Sequence, residues 1–137
     1  MREILFRGKR IDNGEWIEGY LLKVCNYATC SWDLSIEYKD PQWSGSKAYN
    51  TAAVGPSTVG QYTGLTDKNG KKIFEGDIVK NEYEDRKYQY FKIFYNEKTL
   101  QWEVMNKYGM RGILHNVIGN MEIIGNIHDN PELLENP

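Results

Sequence analysis

Two closely spaced turn signals in the middle of the chain constrain its fold most strongly. Residues 67–70 read Asp-Lys-Asn-Gly and lie between two segments that carry apolar residues. Asn and Gly accept the positive φ angles of a tight β-turn at little cost. Residues 75–77, Glu-Gly-Asp, form a second turn signal that leads into Ile78 and Val79. Segment 61–80 is therefore predicted to run strand, turn, strand, turn, strand.

The same segment resembles a known protein family. Residues 61–80 read QYTGLTDKNGKKIFEGDIVK, which is similar to the YopX family signature QYTGL-DKNG-IYEGDIV. The opening residues Met1–Arg7 and the closing residues Ile123–Leu134, IIGNIHDNPELL, are similar to the two ends of that family. The resemblance implies a small protein encoded by a bacteriophage or prophage. It implies no particular activity, because the family has none established.

The chain as a whole is predicted to be mainly β. Aromatic residues make up 13% of it, and no long stretch shows the apolar recurrence of an amphipathic helix. Residues 1–58 are predicted to hold an N-terminal hairpin followed, over 25–57, by an irregular connection or short edge strands. Residues 59–137 are predicted to form a small SH3-like antiparallel barrel with a short C-terminal helix starting near Pro131. At 137 residues the chain is expected to be one compact folding unit.

Six strands are predicted in the second part from period-two alternation and the spacing of turn signals. They span residues 59–66, 72–74, 77–83, 88–95, 100–106 and 121–128. In the fifth of them, Leu100, Trp102 and Val104 are expected to face the core. Gln101 and Glu103 alternate with these residues and are expected to face solvent.

The charge and hydropathy of the chain argue against several classes of protein. A formal net charge of -2 gives no broad positive field, so nonspecific binding to nucleic acid is disfavoured. No window approaches the roughly 20 apolar residues of a membrane span, and the N-terminus does not read as a signal peptide. We therefore expect a protein of the bacterial host cytoplasm with no membrane contact.

No cofactor or metal is expected. Cys25 and Cys30 are predicted to be free thiols, because a reducing cytoplasm disfavours disulfides. A zinc site would need further ligands at suitable spacing, but the two histidines, His115 and His128, lie far from the cysteines and from each other.

The acidic residues near the turns are better explained by structure than by catalysis. Glu75 and Asp77 flank a turn glycine and are expected to cap backbone groups, and Asp67 is expected to form an Asx-type turn. His128 is expected to be a solvated strand residue. No nucleophile elbow and no phosphate-binding glycine loop occurs in the sequence. The chain is therefore predicted not to be an enzyme.

One run of residues interleaves cations with tyrosines, as surfaces that bind single-stranded nucleic acid do. The candidate surface comprises Arg86, Lys87, Tyr88, Tyr90 and Lys92. Acidic residues in segment 82–85 would cancel much of its field, so a solvated hairpin followed by a half-buried strand is favoured over a nucleic-acid site.

Aromatic residues in the region expected to be irregular form a second candidate surface. Trp32, Trp43 and Tyr49 stand among polar residues, where they indicate either a protein contact or a cover over the open end of the barrel. The leading hypothesis is a non-enzymatic protein that acts by contact with another macromolecule or by self-association. A protein partner is favoured over nucleic acid. The alternative is a nucleic-acid-binding module built on the SH3-like part.

Overall fold

The structure, a computed structural model, describes residues 2–82 and 89–135. Those residues form two antiparallel sheets joined by turns and very short helices, which confirms the prediction of a mainly β chain. Internal contacts divide the chain into Met1–Gln61 and Tyr62–Pro137. Within the described ranges, no helix has the length and apolarity needed to cross a membrane.

The first unit is an antiparallel sheet with strand order β4-β3-β2-β1. Its strands are β1 (Phe6–Lys9), β2 (Trp16–Asn26), β3 (Ser31–Lys39) and β4 (Tyr49–Ala53), and β5 (Gly60–Thr66) begins here. The first residues of β5, Gly60 and Gln61, pair with β1. The predicted N-terminal hairpin is confirmed as the antiparallel pair β1 and β2.

The region 25–57 contains more regular structure than the predicted irregular connection. β3 is nine residues long and is hydrogen-bonded to β2 on one side and β4 on the other. Only β4 matches the expectation of a short edge strand. Apolar residues alternate at Trp32, Leu34 and Ile36, so the period-two signal for β3 was present in the sequence.

The core of the first unit lies on one face of this sheet. Ile36 on β3 has no exposed surface, and the register pairs it with Leu21 on β2 and Ala52 on β4. Val54, which follows β4, is also completely buried. Opposed residues of antiparallel strands share a face, so these side chains pack together on one side.

The second unit contains a five-stranded antiparallel sheet with order β10-β9-β8-β7-β11. Its elements are β6 (Lys72–Phe74), β7 (Asp77–Asn81), β8 (Tyr90–Asn96), β9 (Gln101–Met105), β10 (Arg111–Ile113), α1 (Leu114–Val117), β11 (Met121–Asn126) and α2 (Glu132–Glu135). The end of β5 pairs with β6. All six predicted strands are present, and α2 confirms the short C-terminal helix.

The predicted SH3-like barrel is not confirmed. Among the described residues no pairing joins β10 to β11, so the five-stranded sheet is open at both edges rather than closed. Spacing of short strands predicts antiparallel pairing but does not determine closure, which depends on the stagger and tilt of the strands. Neither β10 nor the single-turn helix α1 was predicted.

One face of the five-stranded sheet carries the core of the second unit. The buried cluster comprises Ile73, Val79, Phe91, Ile93, Val104, Leu114 and Met121. Ile73 comes from β6, so the hairpin that follows the turn at residues 67–70 contributes to this core.

The predicted faces of β9 are correct at two residues and wrong at two others. Val104 is buried, and Trp102 packs against the core as expected. Leu100, however, is 73% exposed with φ +57°, because it ends the turn rather than beginning the strand. Glu103 is buried instead of facing solvent, and polar neighbours on its own side of the sheet compensate its carboxylate.

His128 also lies elsewhere than predicted. β11 ends at Asn126, so His128 lies in the turn that follows rather than in a strand. Its backbone N–H donates to the side-chain Oδ1 of Asn126 at 2.9 Å. The turn redirects the chain toward α2.

Candidate interaction surfaces

The carboxylate of Asp67 organises the turn that follows β5. Its Oδ1 accepts hydrogen bonds from the backbone N–H groups of Asn69 and Lys71, each at 2.9 Å, and Oδ2 accepts one from Ile123 at 3.0 Å. Burial raises the pKa of Asp67, but these backbone hydrogen bonds outweigh burial and hold the pKa below its ordinary value. The predicted Asx-type role is confirmed, and Asp67 also joins the turn to β11.

Two other buried carboxylates have hydrogen-bond donors. Asp77 accepts from the backbone N–H of Phe74 at 2.7 Å across the second turn, as the capping interpretation predicted. Glu103 Oε2 accepts from three neutral side chains. The donors are Gln101 at 3.2 Å, Thr99 at 2.9 Å and Asn96 at 2.8 Å. The hydrogen bond from Gln101 is the largest influence that lowers the pKa of Glu103, against the opposing effect of burial.

The residues considered as metal ligands do not come together. Cys25 is half-buried and Cys30 exposed, both as free thiols, in the hairpin between β2 and β3. His115 lies on α1 and His128 beyond β11, both in the other unit. In the described part of the chain, no three His, Cys, Asp or Glu residues cluster in a way that could bind a metal ion.

Only part of the predicted cation and tyrosine surface falls within the described residues. Arg86, Lys87 and Tyr88 lie outside them. Tyr90 and Lys92 are half-buried on β8 and occupy alternate positions, so both project from the face opposite the buried Phe91.

This outer face of the five-stranded sheet extends across neighbouring strands. Lys92 pairs with Met105 on β9, and Met105 pairs with Arg111 on β10, so the three side chains share one face. The Arg111 guanidinium lies 5.8 Å from the centre of the Phe94 ring, within the range of a cation–π contact. Cations and aromatic rings are therefore adjacent on this face.

The hairpin of β2 and β3 extends past the strands that flank it. β1 pairs with β2 only over Trp16–Gly19, and β4 pairs with β3 only over Ser35–Lys39. Beyond those limits, residues 23–34 form a segment of two strands that pair with each other. One further backbone hydrogen bond reaches its inner end, from the N–H of Val54 to the carbonyl oxygen of Leu34 at 3.0 Å. We refer to residues 23–34 as the distal ribbon.

The distal ribbon exposes large apolar side chains. Tyr27 is 88% exposed, Trp32 62% and Val24 44%. Trp32 is on the same face of β3 as the buried Ile36, so the apolar face of the sheet continues beyond the core without cover from a further strand of this unit. The Lys23 ammonium lies 5.6 Å from the centre of the Trp32 ring.

Local hydrogen bonds shape the tip of the ribbon. Asn26 Oδ1 accepts from the backbone N–H of Ala28 at 3.1 Å, and Asn26 Nδ2 donates to Asp33 Oδ2 at 3.0 Å. Cys30 closes the turn in the left-handed region at φ +54°. A two-stranded hairpin has little intrinsic stability in water, so these contacts contribute to its order.

The three aromatic residues proposed from the sequence as a second surface do not form one patch. Trp43 and Tyr49 are exposed at 56% and 49%. Tyr49 pairs with Lys39 at the far end of β3, seven residues and roughly 23 Å along the strand from Trp32, on the opposite face. The exposure of all three rings favours contact with a protein partner over a role in covering the core.

The arrangement defines a chain of two antiparallel sheets with exposed aromatic residues on a hairpin that extends past its flanking strands. The YopX protein family model matches residues 5–135. The chain therefore belongs to the YopX protein family, which confirms the resemblance seen in the sequence.

The fold is also found in a solved structure. The chain is similar to protein EF1440 from Enterococcus faecalis, with 23% sequence identity, a TM-score of 0.54, and coverage of 98% of this chain and 99% of that one. At this identity the likeness shows the fold alone. The search of curated proteins found no match.

Proposed function

We propose that this YopX protein acts without catalysis, by binding another protein through the distal ribbon. The observation that carries the proposal is the exposure of Tyr27 and Trp32 on a two-stranded segment that extends beyond its flanking strands. Tyr and Trp are enriched in protein interfaces, where they contribute much of the binding energy.

The charge of the ribbon favours a protein over nucleic acid as its partner. Residues 23–34 carry one cation, Lys23, and one anion, Asp33. Binding to a phosphate backbone requires several uncompensated cations. Burial of the Trp32 ring against an apolar pocket of a protein needs no such excess.

The structural roles of the buried carboxylates support the proposal that the protein acts without catalysis. Asp67, Asp77 and Glu103 all accept hydrogen bonds from backbone or neutral side chains that shape turns and strands. Their arrangement is explained by folding. Family membership supports a setting in a phage or prophage, with the protein acting in the cytoplasm of the bacterial host.

Affinity purification tests this proposal directly. Tagged wild-type protein expressed in a bacterial host should retain a defined set of proteins, and the double variant Tyr27→Ser, Trp32→Ser should lose them. Tyr49→Ser is the matched control, because it removes an exposed ring from the same sheet at the other end of β3. Equal retention by the double variant and the wild type would contradict the proposal.

Self-association is a special case in which the partner is a second copy. Sedimentation velocity of the purified wild type and double variant separates this case from a foreign partner. A concentration-dependent dimer that the double variant abolishes would identify a second copy as the partner. A monomer in both would leave a different protein as the partner.

A second candidate function, binding of single-stranded nucleic acid, is favoured by the outer face of the five-stranded sheet. There Tyr90, Lys92 and Phe94 alternate along β8, with Arg111 beside the Phe94 ring. Such interleaving suits base stacking with phosphate contacts. Fluorescence anisotropy with a labelled oligonucleotide tests it. Micromolar, salt-sensitive affinity that Phe94→Ala abolishes would promote this function over protein binding.

A further inference from the structure

A cavity on the outer face of the second unit has the chemistry of a ligand site. Its volume is about 230 Å³, and it is lined by Lys92, Met105, Asn106, Lys107, Gly109 and Leu134. Lys92 and Met105 are cross-strand partners that line it from the face of the sheet opposite Phe91. Leu134 belongs to α2, which packs against β8 and forms one wall.

Two lysines line the cavity, and neither forms an ion pair within the described residues. The acidic residues of α2, Glu132 and Glu135, are exposed and do not line it. Lys92 is half-buried, and no ion pair or side-chain hydrogen bond involves it within residues 2–82 and 89–135. The Lys107 ammonium donates to the backbone carbonyl oxygen of Glu135 at 3.0 Å, which is a neutral acceptor. The lining contains no carboxylate. A partly buried ammonium without a counter-ion favours an anion beside it.

The turn after β9 contains a side-chain donor without a hydrogen-bond partner among the described residues, the Nδ2 atom of Asn106. Asn106 is only 4% exposed, and its Oδ1 accepts from the backbone N–H groups of Tyr108 at 3.0 Å and Met110 at 2.9 Å. Those two bonds fix which side-chain atom is the oxygen and leave Nδ2 as the donor. Nδ2 is buried and has no hydrogen-bond partner among the described residues. A buried donor without a partner is rare in folded proteins and calls for an explanation.

The rest of the lining is apolar and the space is small. Met105 and Leu134 present an apolar surface next to the two ammonium groups. The volume lies below the range of pockets that hold drug-sized ligands. A single ring or short alkyl group carrying one acidic group suits this space, whereas a polymer does not.

We propose that this cavity binds a small organic anion. Its phosphate or carboxylate group would lie between the ammonium groups of Lys92 and Lys107. Its apolar part would pack against Met105 and Leu134. The cavity belongs to the second unit and shares no residue with the distal ribbon, which belongs to the first.

The test is an NMR titration of the ¹⁵N-labelled full chain with phenyl phosphate, phenylacetate, inorganic phosphate and benzyl alcohol. We expect phenyl phosphate or phenylacetate to produce saturable shifts at the amides of Lys92 and residues 105–109. Whichever of these two ligands binds more tightly shows whether the site prefers a phosphate or a carboxylate group. Inorganic phosphate and benzyl alcohol should each bind at least about ten-fold more weakly, because each lacks one half of the recognition.

Two substitutions in the cavity and one control outside it test whether the anion binds at this site. Lys92→Gln and Lys107→Gln should each weaken phenyl phosphate binding by about ten-fold, the size expected for loss of one charge-assisted contact. Lys98→Gln removes the same charge from an exposed turn of the same unit and should change affinity less than about two-fold. The proposal is overturned if neither aromatic acid gives saturable shifts in the wild type. It is also overturned if Lys98→Gln weakens binding as much as the cavity variants do.

Discussion

The carboxylate of Asp67 hydrogen-bonds to the backbone N–H of Ile123 at 3.0 Å, across 56 positions of sequence. Because the other oxygen of the same carboxylate accepts from two N–H groups of its own turn, one side chain holds together the turn and β11. The turn therefore contributes to tertiary structure as well as reversing the chain.

Loss of the Asp67 carboxylate should be strongly destabilising. Asp67→Ala leaves three backbone donors without this acceptor, one of them on β11, and we expect the free energy of unfolding to fall by roughly 2–4 kcal/mol. Urea denaturation followed by tryptophan fluorescence measures it. A loss below about 0.5 kcal/mol, the size of an ordinary surface change, would contradict this role.

The contribution of Asp67 should depend on pH. Its folded-state pKa is lowered, so the ionised form stabilises the fold above the ordinary pKa near 4, and this stability is lost as the pH falls through the lower folded-state value. The difference in unfolding free energy between wild type and Asp67→Asn should therefore be full at neutral pH and shrink below about pH 4. A difference that stays constant down to the acid transition would contradict this linkage.

Gly70 should resist replacement because of its backbone conformation. It takes φ +81° with nothing close to the position of a Cβ atom, so any penalty comes from conformation and not from a clash. We expect Gly70→Ala to cost about 1–2 kcal/mol. Gly119 is equally open but does not take a positive φ, so Gly119→Ala is the control and should lower stability little if at all. Similar thermal midpoints for the two variants would be evidence against the turn geometry.

Gly19 should resist replacement for the opposite reason. A Cβ atom at this position would clash with the backbone oxygen of Glu37, and backbone cannot move aside as a flexible side chain can. Gly19→Ala should therefore destabilise the first unit by about 3 kcal/mol. Denaturant unfolding of this variant checks the close approach of β2 and β3. A denaturation midpoint equal to that of the wild type would contradict it.

The sequence predicted the second unit better than the first. There the turns at residues 67–70 and 75–77 fix the ends of the strands, and the buried apolar residues Phe91 and Ile93 lie on either side of Lys92 on β8. In the first unit, the apolar residues Trp32, Leu34 and Ile36 occur at every second position and indicate the strand β3. The scattered Gly, Pro and Ser residues around it obscured that signal.

The misplaced side chains of β9 have a specific cause. A binary apolar and polar pattern assigns Glu103 to solvent, but three neutral donors in and beside the adjoining turn allow its carboxylate to be buried. Leu100 fits an apolar strand position, yet its φ of +57° belongs to the turn. Both outcomes depend on how the turn at residues 97–100 is built, which alternation does not describe.

The candidate surfaces were predictable only in part. Exposed aromatic residues could be suspected at Trp32, Trp43 and Tyr49, but the separation of Trp32 from Tyr49 follows from strand register, which pairs Tyr49 on β4 with Lys39 on β3. The exposure of Tyr27 and the limits of the flanking strands required the structure. The cavity beside Lys92 joins residues from β8, β9 and α2, which are up to 42 positions apart, and no local pattern connects them.

Site-specific photo-crosslinking in bacterial cells shows whether the distal ribbon contacts another protein. Trp32→p-benzoylphenylalanine places a crosslinker on the distal ribbon, and Tyr49→p-benzoylphenylalanine places one at the opposite end of β3 as control. If the ribbon binds a protein, position 32 should give a discrete protein adduct that position 49 does not give. Absence of a protein adduct at position 32, or the same adduct from both positions, would contradict the assignment of the ribbon as the binding surface.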